Sequence, residues 1–190
     1  MDIVEKAVSV LMHDGTIVYP TETVYGLGAD AFSDEAILKV YEAKKRPISM
    51  PISIAVSDFE MLAAVAHLEP SMERFINTFL PGPVTIILPA RASVPDILTG
   101  GTRMIGIRMP AHPVALDIIG RFDAPITATS ANLHGAKDPR TPDECTVPRE
   151  LFVDGGRLPG TPSTVVDLAS RTILRRGALA DKIEICLGTL

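Results

Sequence analysis

The chain alternates between helix-like and strand-like segments along almost its whole length, and this alternation limits the fold more than any other feature. Apolar residues recur at helical spacing after Asp2, Ser33 and Pro113, three residue types that commonly start helices. Short apolar runs typical of buried strands lie between these helices. Alternation of this kind predicts an α/β layer fold.

The order of the elements predicts a mixed sheet. Strand-like runs cluster late in the chain without helix-like segments between them, so purely parallel pairing is not expected. The predicted helices cover 2–13, 33–43, a segment from 57, a segment from 70, 113–121 and 178–187. The predicted strands cover 16–19, 52–56, 84–88, 104–109, 125–129, 151–153, 164–168 and 172–175. A capping box at 57–60 is expected to start the third helix.

Length and composition limit the class of protein. The 190 residues predict a single domain over 1–190 without a further C-terminal domain, and 46% hydrophobic residues exclude a disordered chain. The net charge of −5 argues against nucleic acid as the main ligand. No apolar run approaches the ~18 residues of a membrane span, and the acidic start does not resemble a signal peptide. We therefore expect a cytoplasmic protein that does not contact membranes, with Cys145 and Cys186 reduced.

The sequence gives little support for a protein-bound metal or for a nucleophilic serine or cysteine. The four histidines are scattered, and neither cysteine has a partner at metal-ligand spacing, so no protein-bound metal is expected. The sequence contains no G-x-S-x-G nucleophile motif, Walker A loop or Rossmann fingerprint.

Segments rich in hydroxyl, amide and cationic side chains suit an anionic ligand instead. They lie at 20–28, 44–47, 106–110, 128–132, 162–167 and 173–177. Their positions after strands or at a helix end are typical of ligand sites in α/β folds. The glycines of 20–28 permit unusual backbone angles.

Each segment also has an ordinary structural interpretation. The polar residues of 20–28 and 128–132 are typical of turns, and those of 162–167 and 173–177 suit an exposed sheet edge. Lys44 and its basic neighbours can offset a helix dipole while facing solvent. Arg108 lies among apolar strand residues and needs a carboxylate, which the protein or a ligand could supply. The residues alone leave these alternatives open.

In order along the chain, the segments resemble one family, the YrdC-like threonylcarbamoyl-AMP synthases. The matching blocks are PTETVYGLG at 20–28, KKRP at 44–47, LPGPVT at 80–85, GIRMP at 106–110, SAN at 130–132, STVVD at 163–167 and ILR at 173–175. The resemblance implies an open, twisted α/β sheet with a large concave ligand face. It also implies synthesis of L-threonylcarbamoyl-adenylate and pyrophosphate from L-threonine, bicarbonate and ATP.

The resemblance carries further expectations about partners and residues. The product would feed N6-threonylcarbamoyladenosine formation at adenosine 37 of tRNA, completed by a separate transferase complex, with a weak tRNA contact possible. Mg²⁺ would accompany ATP, bound by phosphate oxygens and water rather than by protein ligands. Threonine would contact Thr21, Arg108 and Ser163. The nucleotide would contact Lys44, Arg46, Ser130, Asn132 and Arg175.

Two departures from the family pattern leave questions open. Residues 50–52 read Met-Pro-Ile where many relatives have Asn-Pro-Leu, and Arg176 stands where proline is common, so two adjacent arginines compete for one role. Two other functions are alternatives to the synthase. One is a noncatalytic module that binds double-stranded RNA or tRNA, and the other is a carbamoyltransferase domain like that of hydrogenase-maturation proteins.

Overall fold

The computed structural model describes residues 1–189. Its helices are α1 (Ile3–Leu11), α2 (Asp34–Lys44), α3 (Phe59–Val65), α4 (Glu73–Phe79), α5 (Asp96–Thr99), α6 (Pro113–Phe122) and α7 (Ala180–Leu187). Its strands are β1 (Ile17–Tyr19), β2 (Gly26–Gly28), β3 (Ile54–Ala55), β4 (Val84–Pro89), β5 (Met104–Arg108), β6 (Ile126–Thr127), β7 (Thr129–Ser130), β8 (Leu151–Phe152), β9 (Thr164–Asp167) and β10 (Thr172–Arg175).

The strands form two open mixed sheets. The smaller sheet has the order β7-β2-β1-β8, in which only the β1–β8 pair is parallel. The larger sheet has the order β10-β9-β4-β5-β3-β6 and alternates antiparallel and parallel pairs. The predicted mixed α/β fold is therefore confirmed, with the strands divided between two sheets.

Apolar packing surrounds both sheets. The larger buried cluster joins α2 and α4 to the larger sheet through residues such as Ile37, Phe75 and Ile86. The smaller cluster joins α1 and α6 to β1 through residues such as Leu11 and Ile119. Packing in these clusters fixes the positions at which the strands and α2 end. The polar segments of the sequence lie at those ends.

The helix starts follow the sequence with one exception. The Asp2 carboxylate accepts from the Glu5 amide at 2.8 Å, and the Ser33 hydroxyl accepts from the Ala36 amide at 3.2 Å. The predicted capping box at 57–60 is wrong. Asp58 caps α3 by accepting from the Met61 amide at 2.8 Å, because a carboxylate is the stronger acceptor and already binds the neighbouring hydroxyl.

The predicted strand at 125–129 is divided at Ala128 into β6 and β7, which belong to different sheets, and the short elements α5 and β2 were not predicted. The glycines of β2 have ordinary strand conformation and lie against the Tyr19 ring. A Cβ atom built on Gly26 would lie 2.9 Å from Tyr19 Cζ, and one built on Gly28 would lie 2.9 Å from Tyr19 Cε1. Neither Gly26 nor Gly28 has a positive φ, and the close approach of the Tyr19 ring requires a glycine at both positions.

The structure also bears on the state of the two cysteines and on membrane-spanning helices. Cys145 and Cys186 are both free. Among residues 1–189, no helix combines the length and the apolar character needed to cross a bilayer.

Candidate functional site

A cleft of about 250 Å³ is lined by residues of both sheets. The smaller sheet contributes Tyr19 and Ser130, and the larger sheet contributes Thr85, Arg108 and Arg175. All the residues proposed from the sequence line this one cleft. They are Thr21, Lys44, Arg46, Arg108, Ser130, Asn132, Ser163 and Arg175. Segments up to 154 residues apart, from Thr21 to Arg175, thus converge on a single site.

The cleft is strongly cationic although the chain is acidic. Lys44, Arg46, Arg108 and Arg175 line it, while Asp138 is the one carboxylate among the described lining residues. Desolvation by burial is the main cause that lowers the pKa of Lys44, Arg46 and Arg175. The cleft therefore holds buried positive charge that is short of counter-charge, and an anionic ligand would relieve this cost.

Lys44 is buried, with 2% of its surface exposed. Its ammonium donates to the Ser130 carbonyl, to the Asn132 carbonyl at 2.8 Å and to Asn132 Oδ1 at 3.3 Å. None of these acceptors carries a charge, and burial lowers the Lys44 pKa to about 8. The interpretation of Lys44 as a solvent-facing helix-end cation is therefore wrong. Lys44 ties the end of α2 to the segment after β7.

Arg46 lies past the end of α2, where Lys45 adopts a left-handed conformation with φ of 51°. The Arg46 Nη2 atom donates to the Pro51 carbonyl at 2.9 Å, and Nε donates to the Met50 carbonyl at 3.4 Å. The departure from the family pattern at 50–52 therefore touches Arg46 through backbone atoms, which any residue type provides.

Ser130 and Asn132 form a compact polar turn. The Ser130 hydroxyl donates to Asn132 Oδ1 at 2.6 Å. The Asn132 amide nitrogen donates to the Ala136 carbonyl at 2.6 Å and lies 3.4 Å from Asp138 Oδ1. Because its side chain is engaged from both ends, Asn132 is held in one orientation beside Lys44.

The structure distinguishes the two adjacent arginines. Arg175 Nη2 donates to the Ser163 carbonyl at 2.9 Å and to the Ser163 hydroxyl at 3.1 Å, inside the cleft. The Ser163 hydroxyl is also 2.9 Å from the Thr85 hydroxyl. Arg176 instead pairs with Asp181 at 2.5 Å and Glu184 at 2.9 Å on α7, and it does not line the cleft.

Arg108 receives its carboxylate from the protein. Its Nη2 atom donates to Glu22 Oε1 at 2.7 Å, and its Nη1 atom donates to the Thr23 hydroxyl at 3.2 Å. Arg108 Nε and Glu22 Oε2 are buried without a hydrogen-bond partner. Thr21 supports this segment, because its hydroxyl donates to the Val24 carbonyl at 2.7 Å.

The lining residues that the sequence did not single out include Tyr19, His134 and Asp138. The Tyr19 hydroxyl donates to the Thr127 carbonyl at 3.2 Å, and burial raises the Tyr19 pKa to about 12, so the phenol stays protonated. Tyr19 ends a short apolar strand, which gave no functional signal. His134 and Asp138 follow the SAN block, and their proximity to that block was the available signal.

Of the side-chain types His, Cys, Asp and Glu, the described lining of the cleft contains His134 and Asp138. Within residues 1–189, no group of three or more His, Cys, Asp or Glu side chains could hold a metal ion.

Fold and cleft together define the class: an open, mixed-sheet α/β protein with a cation-lined ligand cleft between its two sheets. A family model described as Sua5_yciO_yrdC, telomere recombination, matches residues 9–177. The chain belongs to this Sua5/YciO/YrdC family.

Named relatives agree with the family. The chain is 38% identical over 183 residues to a threonylcarbamoyl-AMP synthase of Pyrococcus abyssi, covering 92% of this chain and 54% of that protein. It is 32% identical over 185 residues to the threonylcarbamoyl-AMP synthase of Shigella boydii, covering 93% of this chain and 96% of that protein. The chain thus spans about half the length of the archaeal relative and nearly all of the bacterial one.

A solved structure shares the fold closely. The crystal structure of P. abyssi Sua5 complexed with L-threonine superposes with a TM-score of 0.91 at 36% identity. The match covers 97% of this chain and 57% of that protein. At this similarity the backbone that carries the cleft is shared.

Proposed function

We propose that the protein is an L-threonylcarbamoyladenylate synthase that forms threonylcarbamoyl-AMP and pyrophosphate from L-threonine, bicarbonate and ATP. The observation that carries the proposal is the convergence of Lys44, Arg46 and Arg175, three buried or half-buried cations short of counter-charge, on one cleft. ATP is a polyanion, and a cleft lined by cations attracts such a ligand. The names of the relatives supply the reaction.

The proposed reaction has two bond-forming steps. The threonine nitrogen bonds to the carbon of bicarbonate with loss of water, which gives a carbamate. A carbamate oxygen then attacks the α-phosphorus of ATP, and the bond to the pyrophosphate leaving group breaks. Chemistry of this kind depends mainly on positioning and on neutralising phosphate charge, which fixed cations supply. Mg²⁺ bound to the phosphates would share that charge neutralisation.

We assign the two ends of the cleft to the two substrates. Arg46, Lys44, Ser130, Asn132 and Arg175 are proposed to surround the nucleotide. Arg108, Thr21 and Ser163 are proposed to receive threonine. Arg175 and Ser163 share a hydrogen bond at 3.1 Å, so the two proposed subsites are adjacent, as attack on the α-phosphorus requires.

The product would pass to a tRNA threonylcarbamoyl-transferase complex that modifies adenosine 37, and a cytoplasmic location is part of the same proposal.

A noncatalytic RNA-binding module is less consistent with the site, because the cations of the site converge in a cleft instead of forming an open stripe. A carbamoyltransferase of the hydrogenase-maturation kind would release a carbamoyl-adenylate without requiring an amino acid.

The test is pyrophosphate release from ATP and Mg²⁺ with threonine and bicarbonate supplied together or singly. The proposal expects release only when both are present, with label from [¹⁴C]bicarbonate appearing in a nucleotide product. Release that requires a preformed carbamoyl donor such as carbamoyl phosphate, and not threonine, would favour the carbamoyltransferase. Release that needs neither would identify an ATPase, and tRNA binding without any release would favour the RNA-binding module.

A further inference from the structure

His134 contacts Arg46 across the rim of the cleft. The Arg46 Nη1 atom lies 3.2 Å from His134 Nδ1, although the two residues are 88 positions apart in the chain. Arginine can only donate, so Nδ1 must accept, and the proton of the neutral ring is then on Nε2. His134 is the one histidine among the described residues that line the cleft.

The backbone of His134 is fixed to the same helix end as Arg46. The His134 amide donates to the Lys44 carbonyl at 2.8 Å. That carbonyl belongs to the last turn of α2, two residues before Arg46. The backbone of His134 is therefore anchored beside the end of α2 by a contact that does not depend on either side chain.

This contact determines which Arg46 donors remain for a ligand. Arginine has five N–H groups. Nε uses its hydrogen on Met50, Nη2 uses one on Pro51 and Nη1 uses one on His134. One N–H on each terminal nitrogen stays without a protein partner among the described residues. These two N–H groups lie on the two terminal nitrogens of one planar guanidinium, so they can reach two oxygens of one phosphate group.

Lys44 offers no comparable donors. Its three ammonium hydrogens match the three protein oxygens within hydrogen-bonding distance, so a phosphate would have to displace one of them. Of the two cations in the KKRP block that line the cleft, Arg46 is thus the one prepared to bind an anion directly, and His134 holds it in that orientation.

We propose that His134 is a positioning residue that fixes the Arg46 guanidinium, through Nδ1, in the orientation that binds a phosphate group of the ligand bidentately. The proposal deepens the proposed function, on which it rests for the identity of the ligand as a polyphosphate. Its claim about binding is independent of threonine and of turnover.

The experiment is a double-mutant cycle on polyphosphate affinity, measured by calorimetric titration with inorganic triphosphate and with MgATP. The variants are His134→Ala, Arg46→Lys and the pair together. Arg46→Lys keeps the charge, so binding stays measurable, but it removes the Nη1 atom that His134 holds. The His67→Ala variant is the matched control, because His67 is exposed and does not line the cleft.

We expect His134→Ala to weaken binding of both ligands about tenfold in the wild-type background and to have almost no effect in the Arg46→Lys background. His134→Asn keeps a short side-chain acceptor and should recover part of the loss, whereas a purely structural role would not distinguish it from alanine. Thermal melts of all variants should stay close to wild type, since His134 is exposed at the rim.

Three results would overturn the proposal. One is unchanged affinity in His134→Ala, and another is an equal loss in both backgrounds, which would mean that His134 acts independently of Arg46. The third is a wild-type protein that binds neither ligand. If binding and coupling are as expected but threonine and bicarbonate produce no pyrophosphate, the proposed reaction fails while the role of His134 stands.

Discussion

The Arg108 guanidinium is paired with the Glu22 carboxylate at 2.7 Å, inside the cleft wall and next to the proposed threonine subsite. The side chains of Arg108 and Glu22 are 9% and 17% exposed, so solvent screens this pair weakly. The charge of Arg108 is thus partly neutralised before any ligand arrives. A substrate carboxylate must share Arg108 with Glu22 or displace it, and Glu22 therefore sets how strongly this subsite attracts anions.

The Glu22→Gln variant tests that relationship. It keeps an oxygen that can accept from Arg108 but leaves the guanidinium charge uncompensated, which should lower stability by about 1–3 kcal/mol. A carboxylate ligand should then restore more stability than it does in the wild type. Thermal melts with and without L-threonine measure both effects. Equal stabilisation of the two proteins by threonine would show that Glu22 does not compete with the ligand.

The Arg108→Lys variant tests the proposed threonine contact. Lysine keeps the charge but lacks the planar fork, so threonine affinity should fall about ten- to a hundredfold while MgATP affinity stays nearly unchanged. The melting temperature should also fall, because one ammonium replaces the contacts to both Glu22 and Thr23. Calorimetric titration with each ligand checks the result. Equal losses for both ligands would make Arg108 a structural residue only.

The Lys44→Met variant tests the buried ammonium, with Lys45→Met as the exposed neighbour for comparison. Burial lowers the pKa of Lys44 from 10.5 to about 8, so above pH 8 the unfolded chain binds more protons at this residue than the folded chain does. The free energy of unfolding should therefore rise with pH between about 8 and 10.5 through this group. Lys44→Met should lose that rise, and Lys45→Met should keep it.

Urea unfolding at about pH 7.5 and about pH 9.5 measures the difference. The Lys44→Met variant should also bind MgATP more weakly, because the Ser130–Asn132 turn loses the ammonium that holds it. A pH dependence that is the same in all three proteins would assign the titration to another group.

Arg175 and Arg176 provide a pair of adjacent variants. Arg175→Ala removes a cation that contacts Ser163 in the cleft, so MgATP affinity should fall about ten- to a hundredfold. Arg176→Ala removes only exposed ion pairs with α7 and should leave both affinity and melting temperature almost unchanged. Pyrophosphate release and calorimetric titration compare the two. A larger loss of MgATP affinity in Arg176→Ala than in Arg175→Ala would mean that Arg176, and not Arg175, contacts the nucleotide.

Much of the fold was predictable because local patterns agree with it. The starts of α1 and α2 follow from Asp2 and Ser33, whose side chains accept from their own first turns. The three strands near the C-terminus follow from short apolar runs. The division into two sheets was not predictable, since it depends on which strands pair across long sequence separations, as β1 does with β8.

The sequence by itself determined which polar segments follow the ends of strands and helices, because local patterning places those ends, and the family resemblance pointed to eight residues that line the cleft. Only the tertiary structure decided what each side chain does there. Lys44 reads as a solvent-facing cation until the Ser130–Asn132 turn, over 80 residues away, surrounds its ammonium. Arg108 needs a carboxylate by its chemistry, but burial and strand pairing choose Glu22. Hydrogen-bond partners distant in sequence are set by packing, and packing is a property of the whole chain.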